Sequence, residues 1–206
     1  MSRSTDSELV EQLAPVDGGV LEHLHGQLAR LAEAEGLLDI SYRTLDSPAG
    51  SLLLMATPLG LVRMAFEVEG HDKVVERLAT LVGPRVLHSP RGLEDAARQL
   101  DEYFAGRRRA FDLALDMRLS HGFRAEVLAH LRRIPYGAVE SYSAVAAAVG
   151  NPRAVRAVGT ACATNPLPLV VPCHRVVRSD GSTGQYGGGW EVKRMLLALE
   201  AGSANR

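Results

Sequence analysis

Two adjacent side chains carry the chemistry of this chain: the thiol of Cys173 and the imidazole of His174, within Pro172-Cys173-His174-Arg175-Val176. A thiolate is a strong nucleophile, but a free thiol near pKa 8.5 is mostly protonated at neutral pH. It needs a base or a cation beside it. Neighbouring side chains do not face each other on a helix or a strand. A proton relay through one water therefore suits this pair better than direct contact. The approach to the pair is constrained. Pro172 keeps its predecessor out of helical geometry, and Leu169, Val170 and Val171 form a short apolar run that should line a core. The thiol is thus delivered to the floor of a pocket. The competing reading of Cys173 is a small buried hydrophobe. The other cysteine, Cys162, shares a helical face with Val158 and reads as a packed core thiol.

Composition narrows the frame. The chain has 206 residues, 46% of them hydrophobic, enough for a sizeable core in one domain or two small ones. Two cysteines make no disulfide framework, which suits a reducing compartment and a cytoplasmic protein. No apolar stretch reaches membrane-spanning length, and the polar N-terminus has no signal-peptide core. Net charge is −1 but uneven. Residues 116–206 carry 11 Lys and Arg against 6 Asp and Glu, while residues 1–115 carry 12 against 18. A basic C-terminal half fits an anionic polymer as partner.

The elements that must position the pair follow from periodicity. Residues 1–18 read as disordered, and residues 20–38 as a helix with Leu21, Leu24, Leu28 and Leu31 in a stripe expected to dock on the rest of the chain, with another chain as the alternative. Ile40–Thr44, Leu52–Ala56 and Val62–Phe66 read as a three-stranded antiparallel meander. Helices are expected over 72–82, with Val74, Val75, Leu78 and Leu81 on one face, and over 92–105. Arg107-Arg108-Arg109 reads as a solvated helix terminus. A helix over 119–133 stops at Pro135 and Gly137. Ser141 is the N-cap of a short helix to Val149, Gly150-Asn151 turns, and Pro152 opens a further helix to Thr164. Helix, tight turn, helix is a helix-turn-helix pattern. A glycine-rich loop over 184–189 precedes a last helix, Trp190–Ala201.

The helix from Pro152 is rich in small residues, among them Ala154, Ala157 and Gly159, with Arg156 as its long cation. A major-groove reader would carry more Arg, Asn or Gln. As a DNA contact, shape-driven entry into the minor groove is the better account; composition alone favours tight packing in a protein core.

Together these segments resemble the O6-alkylguanine-DNA alkyltransferase family, the methylated-DNA–protein-cysteine methyltransferases. The resemblance rests on Ile134-Pro135-Tyr136-Gly137, Ser141-Tyr142, Gly150 to Gly159, Pro172 to Val176, Gly184 to Gly189, Lys193-Arg194 and Leu196 to Glu200. It is dense over residues 134–200, thinner over 41–133, and leaves 1–38 as an addition. It implies an α+β fold: a small N-terminal antiparallel sheet with helices, ribonuclease-H-like, over 39–115, and a C-terminal helix-turn-helix (winged-helix-like) domain over 116–206. It implies irreversible, single-turnover transfer of an alkyl group from O6 of guanine in DNA to Cys173. It assigns Glu200 to support His174, and Asn165 to brace the turn before the active-site segment. Tyr142 and Arg156 would serve extrusion of the target nucleotide, which is unreachable inside a duplex. Pro172, Val176, Tyr186, Gly187 and Gly188 would line the substrate pocket. Gly187 stands where the family often has serine or alanine; Val155 and Trp190 also depart from the common pattern.

The partner implied is double-stranded DNA containing O6-alkylguanine, bound by a monomer. No cofactor and no metal are expected, since His23, His25 and His88 are a poor ligand set and no cysteine precedes Cys162. The rivals are an alkylated-base sensor, which would replace the cysteine, commonly with tryptophan, a helix-turn-helix regulator with a structural Cys, and a cysteine hydrolase with an oxyanion hole.

Overall fold

A computed structural model describes residues 18–204, so the expected disorder over 1–18 falls almost wholly outside the described residues. The described residues divide into two units, one ending at Leu37 and the other beginning at Leu38. In the first, helix α1 (Gly18–Ala34) forms as its spacing predicts. The leucine stripe marked for docking is exposed: Leu21, Leu24, Leu28 and Leu31 each present more than half of their surface.

The second unit begins with β1 (Ile40–Leu45), β2 (Leu52–Thr57) and β3 (Gly60–Phe66), each antiparallel to its neighbour. After α2 (His71–Val82), a short strand β4 (Val86–His88) pairs parallel with β1, giving the order β3-β2-β1-β4. The expected three-stranded meander is therefore a four-stranded mixed sheet. Three residues are too few to show a period of two, and Asp39 pins this segment by accepting from the Arg85 backbone N–H at 3.1 Å and from its guanidinium.

All six residues of β2 are buried. Successive side chains on a strand point to opposite faces. Leu53 and Met55 thus join Ile40, Val62 and Leu78 under α2, while Leu52, Leu54 and Ala56 join the main core. On α2, Leu78 is buried, but Leu81 is 61% exposed and lies outside the packed face expected for it. Helix α3 is Glu94–Phe104, preceded by a 3₁₀ turn over Arg91–Leu93.

Helix α4 (Gly122–Leu131) starts three residues later than its periodicity suggests. Gly122 has φ of 54°, His121 before it is extended, and Leu119 packs instead with the core under α2. Then come β5 (Glu140–Ser141), α5 (Tyr142–Ala148) and α6 (Val155–Ala163). Ser141 caps α5, accepting from the Ala144 N–H at 3.1 Å. Pro152 lies in the turn before α6, which starts at Val155, and Ala154 sits at its N-cap. The Ala154 N–H closes a turn on the Asn151 carbonyl at 2.9 Å, holding Pro152 outside the helix. The active-site segment ends in β6 (Val176–Val177), parallel to β5, and α7 (Gly189–Ala204) closes the chain.

One core spans both halves of this unit. Leu52, Leu54 and Phe66 from the sheet, Leu100 and Tyr103 from α3, Leu128 from α4, Val158 from α6, Leu196 from α7, and Cys173 belong to the same buried cluster. No helix among the described residues is long and apolar enough to cross a membrane.

Candidate active site

Residues 165–172 form the support for the thiol. The Met64 N–H on β3 donates to the Pro166 carbonyl at 2.8 Å, hanging the segment from the sheet edge. Asn165 then braces it from within. Its amide nitrogen donates to the Val171 carbonyl at 2.8 Å and to Cys173 Sγ at 3.1 Å, while its Oδ1 accepts from the Leu167 N–H at 3.0 Å. Leu169 is held at φ of 71°, unusual for a branched residue and a sign of strain stored beside a functional position. Its side chain is 1% exposed, as the apolar run predicts. Pro172 is buried and leads into a 3₁₀ turn over Cys173–Arg175.

Cys173 and His174 lie in this turn with different partners. His174 Nε2 meets Glu200 Oε1 at 2.9 Å. An ionised carboxylate only accepts hydrogen bonds, so Nε2 carries the proton and Nδ1 is the basic nitrogen. Nδ1 is buried with no protein hydrogen-bond partner, and so is the hydroxyl of Tyr186. Tyr186 stands edge-on to His174 at 6.3 Å and to Phe66 at 5.4 Å. Buried polar atoms are seldom left unpaired. Two of them on adjacent rings beside a thiol mark a place where a ligand or water is to be received.

Glu200, 1% exposed, is the hub. Besides His174 it accepts from Tyr103 Oη at 2.7 Å, from the Gly137 N–H at 3.0 Å, and from Arg175 through Nε and Nη2, both at 2.9 Å. Arg175 Nη1 donates to the Ile134 carbonyl at 2.6 Å, and its guanidinium lies 5.7 Å from the centre of the Tyr136 ring. The Ile134-Pro-Tyr-Gly137 segment thus wraps the charged hub.

Burial alone would raise the Glu200 carboxyl, but the hydrogen bonds from His174 and Arg175 outweigh it and hold the carboxyl well below the usual range. Burial lowers His174, against the pull of Glu200, so the imidazole is neutral at pH 7 and free to accept a proton. Burial pushes the Cys173 thiol up to about 11, against the pull of the Asn165 amide and the Lys193 ammonium. The resting sulfur is a thiol, and its proton must leave as reaction occurs.

Three of these residues carried no role in the sequence reading. Arg175 was only part of a motif. Tyr103 belonged to an amphipathic helix, with no sign that its hydroxyl meets a residue 97 positions later. Lys193 is fully buried; its Nζ donates to the Val176 carbonyl at 2.6 Å and lies 5.8 Å from the centre of the Tyr142 ring. Its signal was legible: Lys193, Leu196 and Glu200 share one helical stripe.

The remaining predicted residues fall in two places. Val176 is fully buried in the core. Tyr142 packs so closely on Gly184 that a Cβ there would strike its hydroxyl, and burial pushes its phenol up to about 12. Gly187 lines the groove that reaches Cys173, and a Cβ on Gly188 would come within 2.9 Å of the Phe66 ring. On α6, Arg156 and Ala157 are exposed, while Gly159 and the N-cap Ala154 are partly so; none of the four lines the groove that reaches Cys173. Cys162, 7% exposed, is packed as expected and its thiol is pushed up to about 12 by burial, yet it also reaches the wall of the groove that opens on Cys173.

The chain matches known proteins along most of its length. Residues 40–117 match the ribonuclease-like domain, and residues 122–202 the DNA binding domain, of 6-O-methylguanine DNA methyltransferase. The methylated-DNA–protein-cysteine methyltransferase of Mycolicibacterium paratuberculosis is 42% identical over 161 residues, covering 78% of this chain and 92% of the relative. The constitutive enzyme of that name from Bacillus subtilis is 39% identical over 160 residues, covering 77% and 94%. The crystal structure of Mycobacterium tuberculosis O6-methylguanine methyltransferase superposes with a TM-score of 0.71 at 36% identity, covering 80% and 94%. The Mycobacterium tuberculosis OGT solved in complex with DNA gives 0.70 at 37%, covering 79% and 94%. With both domain models matched in order over more than half of the chain, the chain belongs to the 6-O-methylguanine DNA methyltransferase family.

Proposed function

We propose that the protein repairs DNA by moving an alkyl group from O6 of guanine to Sγ of Cys173. The observation that carries this reading is the buried thiol held by Asn165 beside a neutral imidazole, whose far nitrogen is fixed by Glu200. His174 Nδ1 takes the thiol proton through a water, and Glu200 stabilises the imidazolium. Sulfur attacks the alkyl carbon in line, the C–O bond breaks as the S–C bond forms, and the guanine takes up a proton. The product is a thioether. Nothing among the neighbouring groups is suited to cleave it, so each molecule acts once. Carbon is passed between two nucleophiles with no change of redox state, so the step balances without a cofactor.

The target atom lies inside the duplex, so the nucleotide is extruded. The exposed small-residue face of α6 enters the minor groove, Arg156 fills the vacated stack, and Tyr142 and the Tyr186–Gly188 loop enclose the base. Residues 39–115 support this site, residues 116–206 carry it, and residues 1–38 are an extension. The protein works as a monomer on double-stranded DNA, and its two free thiols suit the reducing cytoplasm.

The test is incubation with duplex DNA containing O6-methylguanine, followed by digestion and mass mapping. One methyl group on Cys173 is expected, with Cys173→Ser binding DNA but accepting nothing. A methyl on Cys162, or repeated turnover without modification, overturns the reading.

A further inference from the structure

A groove of about 670 Å³ runs from Cys173 and Asn165 toward α2, and its walls carry an unbalanced set of charges. Arg63, Lys73, Arg77, Arg118 and Arg124 line it, with Glu69 as the carboxylate in the same wall. Three of the cations are held. Arg63 pairs with Glu69 and donates to the Pro166 carbonyl at 3.1 Å, Arg118 pairs with the buried Asp116 at 2.6 Å, and Arg124 donates to the Leu119 carbonyl. Lys73 and Arg77 are exposed and make no ion pair among the described residues. They lie one turn apart on α2, about 6 Å along its axis.

Lys73 and Arg77 sit in the half of the chain that is otherwise acidic: residues 1–115 carry 12 Lys and Arg against 18 Asp and Glu. Gathering cations has a cost. Arg63 is lowered first by burial, Glu69 offsets part of that, and the neighbouring Arg77 charge adds a smaller lowering. Such crowding is relieved when an anion is bound. An extruded nucleotide reaching Cys173 brings its flanking phosphates to the mouth of this groove, because the backbone is continuous.

We propose that Lys73 and Arg77 of α2 bind phosphates of the strand that carries the target nucleotide, so that the ribonuclease-like half is part of the DNA-binding surface. This inference rests on the DNA-repair reading above. It differs from it in placing contacts outside the helix-turn-helix. Both cations hold phosphates rather than bases, so they add affinity without sequence preference.

The experiment compares wild type with the Lys73→Gln/Arg77→Gln double variant and with Arg107→Gln, an exposed cation at the far end of α3. Binding to a duplex containing O6-methylguanine is measured at several salt concentrations, in parallel with alkylation by free O6-benzylguanine. Each lost phosphate contact should reduce the slope of log affinity against log salt by about 0.9. The double variant should thus lose about 1.8 in slope, so that its affinity falls roughly tenfold less than that of wild type between 50 and 200 mM salt. Arg107→Gln should keep the wild-type slope, and all three proteins should react equally with the free base. An unchanged slope in the double variant overturns the proposal, as does an equal change in Arg107→Gln, which would mark a net-charge effect. A double variant with unchanged slope but slower repair of O6-carboxymethylguanine would mean that the cations read an anionic adduct instead. Failure of the alkyl-transfer reading appears separately, as absence of modification of Cys173 in wild type.

Discussion

The acidic hub beneath His174 is held by more donors than a catalytic relay needs. Glu200 has five hydrogen bonds from four residues, two of them from one guanidinium. Removing its charge should act twice. Glu200→Gln leaves His174 without a charge partner and should slow alkyl transfer about a hundredfold, the common worth of general acid–base help. It also leaves the buried Arg175 unpaired, which is typically costly by about 3 kcal/mol or more. The two effects separate by pH. His174 is lowered in the fold, so the unfolded chain takes up that proton first, and stability declines as pH drops below 6.5. Glu200 is also lowered, so a second decline begins below 4.5. Thermal melts should show both steps in wild type, and the lower step should shrink in Glu200→Gln. A variant whose rate-versus-pH profile matches wild type would reject the relay.

The candidate nucleophile is legible at this scale because Pro172, Cys173 and His174 are covalent neighbours, and chain order alone places them together. The hub was not. Nothing in the sequence distinguishes Arg175 or Tyr103 from ordinary residues, since their partners are brought near only by folding.

Among the elements, the helix-turn-helix and the glycine loop make separate demands. Arg156→Ala on α6 should strongly slow repair of duplex DNA, because unstacking a base costs a few kcal/mol. It should barely change reaction with a free alkylated base, which needs no extrusion. Equal slowing of both substrates would return Arg156 to a structural role. In the loop, two adjacent glycines give opposite expectations. A Cβ on Gly187 would meet nothing closer than Phe66 at 3.9 Å, an ordinary contact, so Gly187→Ala should react like wild type. A Cβ on Gly188 would come within 2.9 Å of the Phe66 ring, so Gly188→Ala should displace the loop and slow transfer several-fold. Single-turnover rates on one duplex decide it, and equal rates in the two variants would dissociate the loop from the chemistry.

Periodicity located most elements but not their ends. The four leucines of α1 and the stripe on α2 announce helices, and Ser141 announces its own cap. Helices α4 and α6 each start three residues later than periodicity suggests, because a glycine in left-handed geometry opens the first and a closed turn precedes the second. Strand β4 was missed because its pairing with β1 is non-local and parallel, set by Asp39 and Arg85 rather than by its own three residues.

At the scale of the whole unit, composition suggested an acidic support and a basic working half. The packing joins them. The core that holds β2 and α3 is the core that holds Cys173, and the link continues as a hydrogen bond from Tyr103 on α3 to Glu200 on α7. Burial and the adjacent carboxylate raise the Tyr103 phenol far above its usual value, so this hydroxyl is always a donor. A hydrogen bond to a charged group is worth roughly 1.5–3 kcal/mol. Tyr103→Phe keeps the ring that packs on Phe104, Phe111 and Tyr136 and removes that one bond. It should lower the melting temperature of a single cooperative transition and slow alkylation of Cys173, although position 103 touches neither DNA nor sulfur. Adding Glu200→Gln to it should cost less than the sum of the two single effects, because both act on one network. Full additivity, or two separate melting transitions within residues 38–206, would mean that the two halves are stabilised independently and that the ribonuclease-like half does not tune the thiol.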